Sequence, residues 1–192
     1  MIQPGQIGFS NTKGKIFLSG LIRFFTGSKF SHSFICYYPL DDMELVFEAN
    51  ELMMLTPFDR HYRNNPDQEY EIYEIKQFEN GDAITKDMVT SSLKQCYLQY
   101  SNVKYGYTQL LWFIWRWILE KLHIKVDLKK ERKWFKKGII CSELVYLYLK
   151  TLDHPIINEE LNNFQPNTIN PEDIRKIFLK YPEIFKLKEI KQ

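Results

Sequence analysis

Gly138-Ile139-Ile140-Cys141-Ser142-Glu143-Leu144-Val145-Tyr146-Leu147-Tyr148-Leu149 sets a glycine and two β-branched residues ahead of a cysteine, after which Leu144, Leu147 and Tyr148 recur at helical spacing. The pattern predicts a helix over about 141–151 with Cys141 in its first turn. Backbone N–H groups without intrahelical partners and the positive end of the helix dipole point at a side chain placed there, and both favour thiolate over thiol. Glu143 suits the same turn as a complement to the dipole, a capping rather than a catalytic role. By itself Cys141 reads more readily as a small buried hydrophobe, the common state of a free cysteine.

Far earlier in the chain, Ser31-His32-Ser33-Phe34-Ile35-Cys36-Tyr37-Tyr38 reads as a strand over 33–38. Pro39-Leu40-Asp41-Asp42 supplies turn chemistry, and Glu44-Leu45-Val46-Phe47-Glu48-Ala49 is a second strand. If the turn centres near Asp41, residue 32 lies opposite residues 48 to 50, and even-numbered positions on the two strands share a face. Glu48 is then the candidate to orient the His32 imidazole, with Asn50 as the second choice. An isolated histidine is commonly a surface or satisfied core residue. A histidine at a strand start, a carboxylate on the partner strand and a cysteine at a helix start are together the parts of a Cys-His-acid unit.

These residues resemble the circularly permuted papain-like hydrolases of the NlpC superfamily, in particular the YiiX/YebB-like branch, with lecithin retinol acyltransferase a more distant relative. The likeness is carried by Gln3-Pro4-Gly5-Gln6-Ile7-Gly8-Phe9, by Phe25-Thr26-Gly27-Ser28-Lys29-Phe30-Ser31-His32-Ser33, and by Val46-Phe47-Glu48-Ala49. It continues in Lys104-Tyr105-Gly106-Tyr107, Ile140-Cys141-Ser142-Glu143-Leu144-Val145 and Ile169-Asn170-Pro171-Glu172-Asp173-Ile174. The resemblance implies Cys141 as nucleophile, His32 as general base and then acid, and Glu48 as the residue that orients His32. Gln6 departs from the family's usual Pro-Gly-Asp opening and reads as a structural turn residue. The family's substrates range from peptidoglycan peptides to lipids.

Composition agrees with one domain over 1–192. At 44% hydrophobic and 16% aromatic residues the chain can bury a core without disulfides or metals. Three widely spaced cysteines make no disulfide framework, and Cys36 and Cys96 fall in apolar runs as core or half-buried thiols. A reducing compartment suits them. Met1-Ile2-Gln3-Pro4-Gly5 leads straight into a strand with no signal-peptide pattern, so the expected location is cytoplasmic as synthesised, with export by another route open. His61, His123 and His154 are scattered, no cysteine pair has zinc spacing and no Gly-rich phosphate loop follows a strand, so no metal, nucleotide or other cofactor is assigned.

Further strands are expected at 6–10 and 70–76 and an apolar helix over 15–25. Thr85-Lys86-Asp87-Met88 opens a helix carrying Val89, Leu93, Cys96, Tyr97 and Tyr100 on one side. Asn170 caps a last helix with Pro171 in its first turn, through Ile174, Ile177 and Phe178. The order describes an α+β fold, a small, mainly antiparallel sheet or partial barrel packed against helices.

An aromatic and basic insert at about 108–137 stands apart. Leu110-Leu111-Trp112-Phe113-Ile114-Trp115-Arg116-Trp117-Ile118-Leu119 is apolar almost all round, and residues 121–137 carry eight Lys/Arg against two acids, +6 locally against +2 for the chain. The apolar stretch is too short to span a bilayer, which takes about 20 residues. It reads as a buried helix followed by a solvated loop, or as a helix at a membrane surface with Trp112, Trp115 and Trp117 at headgroup depth. Nucleic acid is not an expected partner, because a near-neutral chain has no wide basic face.

The expected chemistry is acyl transfer through a thioester, with Tyr105 or Tyr107 donating to the oxyanion or simply satisfied in the core. Three functions remain open: an amide hydrolase on a peptide such as a peptidoglycan-type stem, a lipid-directed acyltransferase or thioesterase at a membrane surface, and a binding module without turnover. The sequence does not address oligomeric state.

Overall fold

A computed structural model describes residues 1–13, 20, 23–24, 27–76, 84–108, 111–112, 115, 118–119, 122–123 and 138–192. The helix expected over 15–25 lies largely outside them, although Gly20, Arg23 and Phe24 are helical.

The strands are β1 (Ile7–Thr12), β2 (His32–Cys36), β3 (Leu45–Ala49), β4 (Met53–Pro57), β5 (Gln68–Ile75) and β6 (Phe185–Lys191). They form one open six-stranded sheet in the order β4-β3-β2-β1-β5-β6, with every pairing antiparallel. A π-helical turn, Asp59–Arg63, joins β4 to β5. The helices are α1 (Lys86–Tyr100), α2 (Cys141–Thr151), α3 (Pro155–Asn162) and α4 (Pro171–Lys180).

The central strands are buried on both faces, which is why β2 and β3 read as nearly unbroken apolar runs. One face carries Ile7, Phe9, Ile35 and Phe47 against Leu93 of α1, Leu144 and Tyr148 of α2 and Phe178 of α4. The other carries Phe34, Cys36, Val46, Tyr70 and Ile72 under Ile2, Phe58 and Tyr62. Each fully buried side chain of this size contributes about 1.5–3 kcal/mol of transfer free energy, so the two clusters fix the register of the strands between them.

Local chemistry explains several ends. Gln6 N donates to Gln3 O at 3.2 Å across Pro4 and Gly5, and Gly5 takes φ +85, a turn geometry that needs glycine at that place. Gln6 Oε1 accepts from Gln3 N at 2.8 Å, so its side chain braces this turn. Asn170 and Asp173 form a reciprocal capping box with Pro171 in the first turn of α4. The β2–β3 turn closes at Leu40 and Met43 with Asp41 left-handed at φ 52.

Four elements were not expected. β4 is Met-rich and ends on Pro57, which an edge strand tolerates. β6 is the opposite edge, and its lysines keep that edge soluble. α3 starts on Pro155 in its first turn, and the π-helical turn has no sequence period that announces it.

Candidate active site

His32 opens β2, where Ser31 N donates to Ser10 O at 3.1 Å and pins the start of the strand to β1. The approach to it is clamped from outside the strand. Phe30 is buried between the cations of Lys29 and Arg175, and Glu71 accepts from Lys29 Nζ at 2.8 Å and from Arg175 Nε at 2.7 Å. Paired registers put Phe34 across from Glu48, so Asn50 stands opposite His32 and Glu48 lies one step along the same face. Glu48 rather than Asn50 reaches the imidazole, accepting from His32 Nε2 at 2.8 Å, while Asn50 is exposed.

Cys141 is the first residue of α2, whose N-cap is Ile140 with no side-chain cap. The His32 side chain lies beside the Cys141 sulfur, close enough for its charge and N–H to favour the thiolate, and the backbone N–H groups of Ser33 and Ser142 act in the same direction. With Nε2 engaged by Glu48, the other ring nitrogen is the one left for sulfur. Ser142 Oγ donates to Ile169 O at 2.6 Å, which anchors this end of α2.

Burial alone would raise the Cys141 pKa, but the His32 charge and hydrogen bond with the two N–H donors hold it below the ordinary thiol value. Burial alone would lower His32, and the adjacent sulfur charge with the Glu48 hydrogen bond outweighs it, raising the imidazole to about 10. Glu48, in spite of burial, stays below its ordinary value through His32, Thr56 and Tyr62. These shifts reinforce one another and favour a thiolate–imidazolium pair at neutral pH. Cys141 is 4% exposed, whereas the His32 side chain is 23% exposed, so the centre opens on its imidazole side.

Behind the imidazole is a support that the sequence reading missed. Thr56 Oγ1 donates to one Glu48 oxygen and Tyr62 OH to the other, the one that His32 uses. Tyr62 sits on the π-helical turn, and its hydroxyl also meets Ser10. Lys191 Nζ then donates to the carbonyls of Tyr62, Arg63 and Asn65 at 3.1, 2.9 and 2.6 Å, tying that turn to the last strand. Face alternation along β4 would have shown Thr56 had that strand been recognised, whereas no local signal points to Tyr62. Tyr62→Phe removes a donor to a buried carboxylate and is expected to cost about 1.5–3 kcal/mol, read as a lower urea midpoint with an unchanged slope.

The two tyrosines proposed for the oxyanion part company. Tyr105 lies beside the Cys141 sulfur, and burial together with the sulfur charge pushes its hydroxyl well above the ordinary value, keeping it a donor. Tyr107 is 48% exposed, its ring tilted against Tyr105 with centroids 4.7 Å apart. Tyr105 is placed by a parallel bridge to Ile139, with Gly106 N donating to Ile139 O at 3.1 Å. A Cβ on Gly138 would stand 2.6 Å from Gly106 Cα, so the two segments approach this closely only with glycine at 138. Gly138→Ala is therefore expected to cost about 1–3 kcal/mol from overpacking and to slow alkylation of Cys141 by moving it from Tyr105. Alkylation kinetics with thermal melts measure both.

Cys36 and Cys96 are buried, and both thiols are raised by burial, opposite in direction to Cys141. Trp115 is 52% exposed, Trp112 is half-buried, and Trp117 with most of the 108–137 insert lies outside the described residues. No helix among the described residues is long and apolar enough to cross a membrane.

The six-stranded antiparallel sheet with helices on one face and a cysteine at a helix start defines an α+β protein of a known architecture. The structure is similar to the crystal structure of the metalloprotein YiiX from Escherichia coli O157:H7, with a TM-score of 0.53 and 16% identity over 98% of this chain and 97% of that one. At that identity the likeness shows a YiiX-like fold and carries nothing about chemistry. No family model matches the sequence, and no curated protein matches it.

Proposed function

We propose that this chain is a thiol-dependent acyl hydrolase of permuted papain-like organisation, its histidine and acid on adjacent strands and its nucleophile following on a later helix. The single observation that carries the reading is the contact of Cys141 with His32 and of His32 with Glu48. Supporting it, Cys141 alone of the described cysteines is lowered, because the His32 charge and N–H with the Ser33 and Ser142 backbone N–H groups outweigh its burial.

In the mechanism the Cys141 thiolate attacks a carbonyl carbon, and the developing oxyanion is met by the Cys141 backbone N–H and the Tyr105 hydroxyl. The tetrahedral adduct collapses as the His32 imidazolium protonates the leaving group, leaving a thioester on Cys141. Neutral His32 then takes a proton from water or another acceptor, which attacks the thioester and restores the thiolate and imidazolium. Glu48 holds the ring and stays ionised throughout.

An amide substrate of the peptidoglycan-stem kind is the first reading. Acyl esters or thioesters of lipid origin are the second, favoured by the exposed aromatic residues beyond Tyr105. The E. coli relative by fold is described as a metalloprotein. Here Cys141 and His32 offer two donors, but the Glu48 oxygens are taken by His32, Thr56 and Tyr62. No group of three His, Cys, Asp or Glu side chains among the described residues is arranged to hold a metal. The described residues do not fit one, and no step is routed through it.

The test presents a panel of stem-peptide amides, acyl esters and thioesters to wild type and Cys141→Ala, with intact-protein mass spectrometry at short times. The expected result is an acyl mass on Cys141 with turnover abolished in the variant. No adduct with any substrate, and no dependence on Cys141, would leave a binding module and end the reading.

A further inference from the structure

Tyr107, Leu111 and Trp115 are helical, and Leu122 N donates to Ile118 O at 3.1 Å, carrying the same winding one turn further. Ideal helical spacing of about 100° per residue puts positions 107, 111, 115 and 122 within an arc of about 80°. They are 48%, 60%, 52% and 63% exposed, respectively. The solvent face of a helix in a globular protein ordinarily carries charged and polar groups, so a stripe of two aromatics and two leucines there is unusual.

What covers the stripe is indicated by the charge that follows it. Residues 121–137 hold eight Lys/Arg against two acids, and the chain as a whole is only +2, so net positive charge is concentrated beside Leu122 and the rest of the chain is net negative. Apolar residues including Trp and Tyr followed directly by a cationic segment match the two attractions of an anionic bilayer surface, headgroup-depth burial and lysine–phosphate attraction. A cationic run of this kind adds nothing to docking on an apolar protein groove.

We propose that the Tyr107–Leu111–Trp115–Leu122 face docks on an anionic lipid surface, with the 121–137 segment supplying the electrostatic share. Tyr107 lies two residues past Tyr105, which stands beside the Cys141 sulfur, and Gly106 N donates to Ile139 O. Docking there sets the reaction centre within reach of an acyl group carried by the bilayer. The surface is independent of the chemistry, so it can be tested in Cys141→Ala.

All four tryptophans of the chain, Trp112, Trp115, Trp117 and Trp134, lie in the 108–137 insert, so intrinsic fluorescence reports on this region alone. Full-length Cys141→Ala is titrated with phosphatidylcholine vesicles containing or lacking phosphatidylserine, following the emission shift, quenching by brominated lipid and co-sedimentation. Binding at least about tenfold tighter to the phosphatidylserine vesicles, weakened by salt, is the expected result. The double variant Leu111→Glu with Trp115→Glu should lose at least about tenfold in partitioning while keeping its circular dichroism. Leu111→Ala with Trp115→Ala, which adds no charge, should lose less but measurably.

Equal binding to both vesicle types, no binding, or double variants that bind like the parent would each overturn the proposal. So would a wild-type dimer that ignores vesicles and dissociates in the glutamate variant, because the stripe would then be a self-association face. If docking holds while the substrate panel stays silent, the hydrolase reading fails and the lipid surface stands.

Discussion

His32→Ala is expected to reduce turnover by about 10²–10⁴-fold, the share of a general acid–base group, and to slow alkylation of Cys141 most strongly at low pH. In wild type the thiol is held below its ordinary 9.0 by the charge and hydrogen bond of His32, so labelling with iodoacetamide should persist near pH 6. Without the imidazole, burial is the dominant influence left and raises the thiol, and at pH 6 an ordinary thiol is about 0.1–0.3% thiolate. The variant's labelling should therefore follow a limb displaced upward in pH. Wild-type turnover should also fall at the alkaline end as the imidazolium, raised to about 10, gives up the proton that the leaving group needs. Labelling of Cys141 that is the same with and without His32 across this range would remove the basis for catalysis.

Glu48→Ala is expected to destabilise the fold by about 3–5 kcal/mol, because removing one partner of a buried pair leaves the other uncompensated. The loss falls on three donors at once: the His32 Nε2–H, the Thr56 hydroxyl and the Tyr62 hydroxyl. For a chain of this size the melting midpoint should drop by roughly 10 °C. The pH dependence has a definite sign. Glu48 lies below its ordinary 4.5 in the folded state, so its stabilisation is fully present above that value and is lost as pH falls through the lower folded value. The gap between wild type and Glu48→Ala should thus narrow in acid, and again at the alkaline end as His32, raised to about 10, loses the charge that Glu48 compensates. Glu48→Gln, which keeps the shape, should melt closer to wild type yet lower the His32 pKa. A melt of Glu48→Ala within about 1 kcal/mol of wild type would show that the carboxylate is not the keystone described.

The parts of the site differ in how visible they are along the chain. Cys141 and α2 were legible because a helix start has a period and a punctuation mark. His32 and Glu48 were legible because Asp41-Asp42 fixes a short hairpin, and face alternation in a strand is strict. Gln6, read as a turn residue, does brace the Pro4-Gly5 turn. Thr56 and Tyr62 escaped notice for different reasons. Thr56 lies on an edge strand with methionines and a proline that weaken its β signal, and Tyr62 lies on a π-helical turn whose identity depends on what packs over it. Between Tyr105 and Tyr107 nothing in the local sequence chooses; the close approach of Gly106 and Gly138 does.

Local chemistry alone thus determined where α2 begins, which strand faces His32 and Glu48 share, and that positive charge gathers after residue 120, since each depends on neighbours a few bonds away. Only the tertiary structure decided that Cys141 meets His32, that Glu48 rather than Asn50 holds the ring, and that Lys191 steadies the turn carrying Tyr62. Those are contacts between segments distant along the chain, set by how two apolar faces of one sheet are covered, and spacing along a polymer carries no record of them.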